Sequence, residues 1–443
     1  MNSNLQFPLH ELRGTRRGVF DMWTWMIHID VPFETISSEL ARLDARPTPD
    51  PNGDFAVYVH ELVHFFQTVA SPVVIRLMHD FDYMYASLLN ELDRLPLKQL
   101  PVPMGLSTPG YSRLTNAASR ETEFGVSLLD VLEGEAFYYQ HFFTAPETRD
   151  DPSVTAIRTS VGDYRLAERD LPTLSRYTNA YLVASSYLDK HISQFLGPGC
   201  VDVLFPYICN FALYSPYTLR TRDGVCESAP QLFSMALQFL ARELAATDLM
   251  VRHAHPDPNL VYSFFMNELC ETYGLERIPY QDTFMAAALN ELERLYSDDE
   301  FMSNAPAWYA VRQVSRHVQV VGSIAGSGHQ WFLFPFIARN LKKLFDLLGH
   351  PPVVYRNMES GEYHVMAHTE LAQSLLRRGM LLRAIANIFE PLREKHICPH
   401  VECSFHKLSI CREWYLYPRE FPDCRFPAAF QEFTGLSLER LRA

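Results

Sequence analysis

His60-Glu61-Leu62-Val63-His64, set inside the apolar run Phe55-Ala56-Val57-Tyr58-Val59-His60-Glu61-Leu62-Val63-His64-Phe65-Phe66, is the stretch from which the rest of this chain is read. The run is long enough for a helix, and on a helix residues four apart share one face. His60 and His64 can therefore reach the same ion. Glu61 is offset by about 100° around the axis, too far round to compete as a ligand. It is near enough to hold a water on that ion, where the water's pKa falls toward neutrality and it becomes a nucleophile for amide or ester bonds. With 17 His in 443 residues, such a motif arises by chance in roughly one chain in twenty-five, so its surroundings must decide. The bland reading is two buried histidines hydrogen-bonded to the backbone. Against it, two imidazoles and a carboxylate interrupt Val, Tyr, Leu and Phe, where unpaired burial would cost several kcal/mol. One metal ion satisfies all of them together.

A catalytic zinc takes three protein ligands and leaves its fourth position open. The best source of the third is Leu132-Glu133-Gly134-Glu135-Ala136-Phe137-Tyr138-Tyr139-Gln140-His141, which continues the periodic run beginning at Val126. Glu133 and Glu135 point about 200° apart on one helix, so only one of them can face the metal. Gln67, one turn beyond His64, and Gln140 and His141, near the Glu133 face, are candidates to orient ligands from behind.

The pair H-E-x-x-H and a later E-G-x-A resembles the gluzincin metallopeptidases. The resemblance implies His60, His64 and Glu133 as zinc ligands, Glu61 as general base, and Gly134 and Ala136 as small residues that let the two helices approach. It also implies a helical metallopeptidase core and a peptide or protein substrate. It covers about a dozen residues, and the gap between its two halves is longer than in the best-known members.

For the oxyanion donor the sequence is underdetermined. His329 in Gly326-Ser327-Gly328-His329 and the segment Tyr363-His364-Val365-Met366-Ala367-His368 are options. Cys398, Cys403, Cys411 and Cys424, interleaved with His400 and His406, have the ligand density of a second, structural zinc site. Their spacings, C-x4-C, C-x7-C and C-x12-C, lack a C-x2-C knuckle. Unligated thiols fit them as well.

Composition is globular, 47% hydrophobic and 21% charged, with a net charge of −13. That balance leaves no room for a long disordered region and disfavours nucleic-acid backbones and anionic membranes as partners. There is no phosphate loop or dinucleotide fingerprint. The N-terminal residues carry no secretory signal pattern, and no apolar stretch is long enough to span a bilayer, so a cytoplasmic protein with reduced thiols is expected. Oligomeric state is not readable.

The fold class expected is mainly α, an α+β arrangement with a small β element near the N-terminus. Residues 19–30 read as a strand. Helices are expected at 55–70, 74–96, 119–143, 154–169, 172–195, 230–247, 279–297, 304–321, 330–348 and 367–389. Three parts follow: 1–195 with the metal site, 196–390 as a helical part packed on it, and 391–443 as a Cys/His-rich lobe, unless all form one continuous domain. Two other functions compete with a hydrolase. One is a non-haem iron or di-iron helical oxidase, which wants a second E-x-x-H that the chain lacks. The other is a catalytically silent, metallopeptidase-like binding or regulatory protein.

Overall fold

The computed structural model describes residues 18–21, 26–29, 54–74, 76–77, 122–144, 175–197, 200–253, 258–279, 287, 353–356 and 363–366. These are mostly helical, with two small sheets. The expected helices at 154–169, 304–321, 330–348 and 367–389 lie outside the described residues, as do most of 74–96 and 279–297. So do His329 and the four C-terminal cysteines.

The motif helix α1 (Asp54–Ala70) is buried on nearly every side. Tyr58, Val59, Leu62, Val63, Phe65 and Phe66 are all core residues, as a helix apolar all round requires. One face lies on a sheet and another on helix α2 (Leu128–Thr144). The sheet is formed by β1 (Gly18–Asp21), β2 (Met26–Ile29), β6 (Val353–Arg356) and β7 (Tyr363–Met366), in the order β1-β2-β6-β7. The β1–β2 and β6–β7 pairs are antiparallel and β2–β6 is parallel, with Ile27 opposite Val353. Residues 19–30 are thus not one strand but two paired ones, Gly18 facing Ile29 across the ladder.

Helix α2 starts later than its apolar periodicity suggests, at Leu128 rather than 119. Ser127 and Asp130 form a reciprocal cap: the Asp130 amide donates to Ser127 Oγ (3.1 Å), and the Ser127 amide donates to Asp130 Oδ2 (2.8 Å). That S-x-x-D pattern is a helix start signal that was present in the sequence.

Behind α2 pack α3 (Ser175–Leu196) and α4 (Cys200–Tyr214). The Tyr138 hydroxyl donates to the Asp202 carbonyl (2.6 Å) and Tyr181 donates to the Asp202 carboxylate, which ties all three helices together. Helix α4 was not anticipated. It is buried along its length and contains Pro206, so it lacks both a polar face and an unbroken helical composition. The expected helix 230–247 divides into α5 (Ala229–Leu240) and α6 (Glu243–His253). Helix α7 (Pro258–Tyr273), also unanticipated, completes the described helices. A small sheet of β3 (Leu219–Thr221), β4 (Gly224–Val225) and β5 (Glu276–Arg277), in the order β4-β3-β5, joins α4 to α7. No helix among the described residues is long and apolar enough to cross a membrane.

Gly134 has a role other than the one its motif implies. A Cβ there would stand 3.1 Å from Ala180 Cβ and 3.4 Å from Phe205 Cζ, so its small size admits α3 and α4 rather than the motif helix. Gly134→Val should destabilise the fold by about 1–3 kcal/mol through overpacking, read as a lowered denaturant midpoint. A variant as stable as wild type would show that this contact yields freely.

Candidate metal centre

The geometry of α1 and α2 brings three donor atoms together. His60 Nε2 lies 3.2 Å from Glu133 Oε2, His64 Nε2 lies 3.3 Å from the same oxygen, and the two imidazole nitrogens are 3.2 Å apart. Four ligands at the zinc bond length of roughly 2.0–2.1 Å, placed tetrahedrally, are separated by about 3.3 Å. The triangle therefore has the edge length of one face of a zinc tetrahedron. Among the described residues it is the one group of His, Cys, Asp or Glu side chains close enough to share an ion. The donor set, two imidazoles and a carboxylate, is also that of a catalytic zinc centre.

Exposure grades across the site. The Glu133 side chain is 27% exposed and the His60 side chain 7%, so the centre opens toward the Glu133 side and is closed behind His60. Glu135 faces the opposite way, outside the group of three donor atoms. Its carboxylate accepts hydrogen bonds from Gln67 Nε2 (2.9 Å), the Tyr214 hydroxyl (3.3 Å) and Asn210 Nδ2 (3.4 Å). Gln67 stands between this carboxylate and the centre: it accepts at Oε1 from His64 Nδ1 (2.8 Å), and its amide nitrogen also donates to the Leu132 carbonyl (2.9 Å). Gln140 is half-buried on α2. His141 is in the last turn of α2, with its side chain outside the described residues. Tyr363 and His364 lie in β7, with His364 opposite Tyr355, and Ala367 and His368 lie outside the described residues.

Glu61 is buried on α1 beside β1. A Cβ on Gly18 would stand 2.5 Å from Val57 Cγ1 and 3.0 Å from Glu61 Oε1, so β1 can lie this close to the motif helix only because residue 18 has no side chain. Nothing in the 19–30 strand pattern marked that position.

The charges are strongly coupled. Burial alone would lower the His64 pKa. The Glu133 charge and hydrogen bond, then Glu61 and Gln67, outweigh it and lift the imidazole to about 9. Burial likewise opposes ionisation of Glu133, but the charge of His64 and the hydrogen bonds from both imidazoles hold its carboxyl far below the usual range. Burial dominates at Glu135 and pushes it up to about 7, only partly offset by Gln67 and Tyr214.

Comparison with known proteins returns no relative: no family model, no curated protein and no solved structure matches this chain. The site has to be judged on its own chemistry.

Two pH dependences follow from those couplings. The folded His64 value lies above its ordinary 6.5, so in the metal-free chain its stabilisation is complete below about 6.5 and is lost as pH rises through about 9. Zinc uptake near pH 7.5 should accordingly release a proton, measurable as buffer-dependent binding heat; no proton release would contradict the coupling. Glu135 is an acid whose folded value is raised from 4.5 to about 7. Its ionisation opposes folding by an amount that builds up from about pH 4.5 and is complete above about 7, roughly 3 kcal/mol in all. Glu135→Gln should therefore stabilise the metal-free protein at pH 8 and not at pH 4, read from thermal melts at the two values.

Proposed function

We propose that this chain is a zinc-dependent metallohydrolase with a gluzincin-like core, and that its substrates are peptides. The observation that carries the reading is the donor triangle of His60, His64 and Glu133, whose edges suit a single tetrahedral zinc, with a buried carboxylate one residue along the same helix.

His60, His64 and Glu133 would hold the ion. When bound, zinc supplies Lewis acidity to the scissile carbonyl and lowers the pKa of the attacking water. Glu61 accepts a proton from that water and passes it to the leaving amine. Its burial against β1 fixes the carboxylate in place and keeps bulk water from competing for it. Peptides are favoured over other acyl substrates by β1. Among the described residues it pairs only with β2 and packs against the motif helix that carries Glu61. An extended peptide that added to its other edge would run past that helix. The compartment proposed is the cytoplasm, where Cys200, Cys209, Cys226 and Cys270, all free thiols, stay reduced.

Purified full-length protein should contain zinc, and His60→Ala should lose one zinc per chain by elemental analysis. A second zinc retained in that variant would assign the C-terminal cysteines. Glu61→Gln should keep its zinc and hydrolyse a mixed peptide library about 10²–10⁴-fold more slowly, read by mass spectrometry. Stoichiometric iron would favour the oxidase. Bound zinc with no cleavage by wild type would favour a silent binding protein. Gly18→Ala should retain zinc and lose turnover, because the new methyl group clashes with Val57 and crowds Glu61; unchanged turnover would remove β1 from the account.

A further inference from the structure

We infer that Gln67 and Glu135 form an amide-bridged relay that commits His64 to bind metal through Nε2. The inference deepens the metal-site reading and rests on it.

The argument begins with hydrogen-bond roles. A backbone carbonyl only accepts, so the group 2.9 Å from the Leu132 oxygen must be the amide nitrogen of Gln67. The other hydrogen of that NH₂ goes to Glu135 Oε2, also at 2.9 Å. With both donors spent, the end of Gln67 that meets His64 is the carbonyl oxygen, which only accepts. His64 Nδ1 must therefore carry a proton. A neutral imidazole protonated at Nδ1 has its lone pair on Nε2, and that nitrogen faces His60 Nε2 and Glu133 Oε2. The tautomer that can ligate is thus written into the amide orientation.

The same side chain performs a second task. Leu132 precedes Glu133 in α2, so the bond from Gln67 to the Leu132 carbonyl pins α1 to the α2 backbone one residue from the third ligand. A single amide fixes the tautomer of one ligand and the placement of another.

Glu135 anchors the far end. Were Gln67 to flip, its oxygen would face the Leu132 carbonyl oxygen, two acceptors with no hydrogen between them. Tyr214 and Asn210, both from α4, donate to Glu135 and hold it in this position. Metal-ligating imidazoles commonly have a carboxylate directly behind them; here an amide is interposed. Glu135 is a positioning residue, acting on His64 through Gln67.

The test measures zinc affinity by chelator competition, with thermal melts of the metal-free proteins alongside. Gln67→Met keeps the length of the side chain and removes every polar role; Glu135→Gln is isosteric and removes the charged anchor. Both should bind zinc 10–100-fold more weakly than wild type, while metal-free Glu135→Gln melts no lower than wild type. A merely structural Glu135 would lower the melt and leave the affinity alone. Zinc affinity within twofold of wild type in Glu135→Gln overturns the relay, whatever Gln67→Met does. If Gln67→Met fails to fold, Glu135→Gln alone decides. Wild type that binds no zinc would instead bring down the metal centre, and the relay with it.

Discussion

Two imidazole nitrogens and a carboxylate oxygen, drawn from two helices, stand within 3.3 Å of one another in a mostly dry interior, and the rest of the architecture follows from that convergence. Ions and lone pairs gathered this closely need something between them: a shared proton or a cation. The fold supplies closeness in several ways. Gly18 lets the sheet lie on α1, Gly134 lets α2 settle against α3 and α4, and Gln67 bridges α1 to the α2 backbone. Each device is small, and each acts on where a ligand or the base stands.

The electrostatics point the same way. Glu133 meets both His60 and His64, Glu61 adds its charge to His64, and Glu135 lies behind Gln67. A metal-free chain meets part of that charge by keeping His64 protonated well above its ordinary pKa, while burial raises Glu135. A divalent cation meets it better, since it needs neutral imidazoles and ionised carboxylates together. The expense of burying Glu135 then has a use: it holds the orienting amide.

The parts of this arrangement that were legible in the sequence are those carried by local spacing. H-E-x-x-H marked α1 and the two histidines that converge on Glu133, because four-residue spacing on a helix is a statement about one face. The E-G-E-A segment marked α2, but spacing left Glu133 and Glu135 as rivals, since each points to a different side of the helix and the sequence does not say where α1 lies. The Ser127/Asp130 cap is legible as S-x-x-D, but the apolar period upstream of Leu128 runs on without a break and masks the helix start. Gly18, Asn210 and Tyr214 could not have been found. They reach the site through the β1 approach and through α4, a helix with Pro206 inside it and no polar face to give it a period. The pairing of β2 with β6 joins residues more than three hundred positions apart, beyond anything local patterning encodes.

The most direct measurement is crystallography of the zinc-loaded protein with anomalous data collected at the zinc edge. The account predicts a peak roughly 2.0–2.2 Å from His60 Nε2, His64 Nε2 and a Glu133 oxygen, with Gln67 oxygen on His64 Nδ1 and Glu135 outside the coordination sphere. Zinc ligated by Glu135, or zinc confined to the C-terminal cysteines with the His60–His64–Glu133 triangle bridged by protons alone, would contradict it.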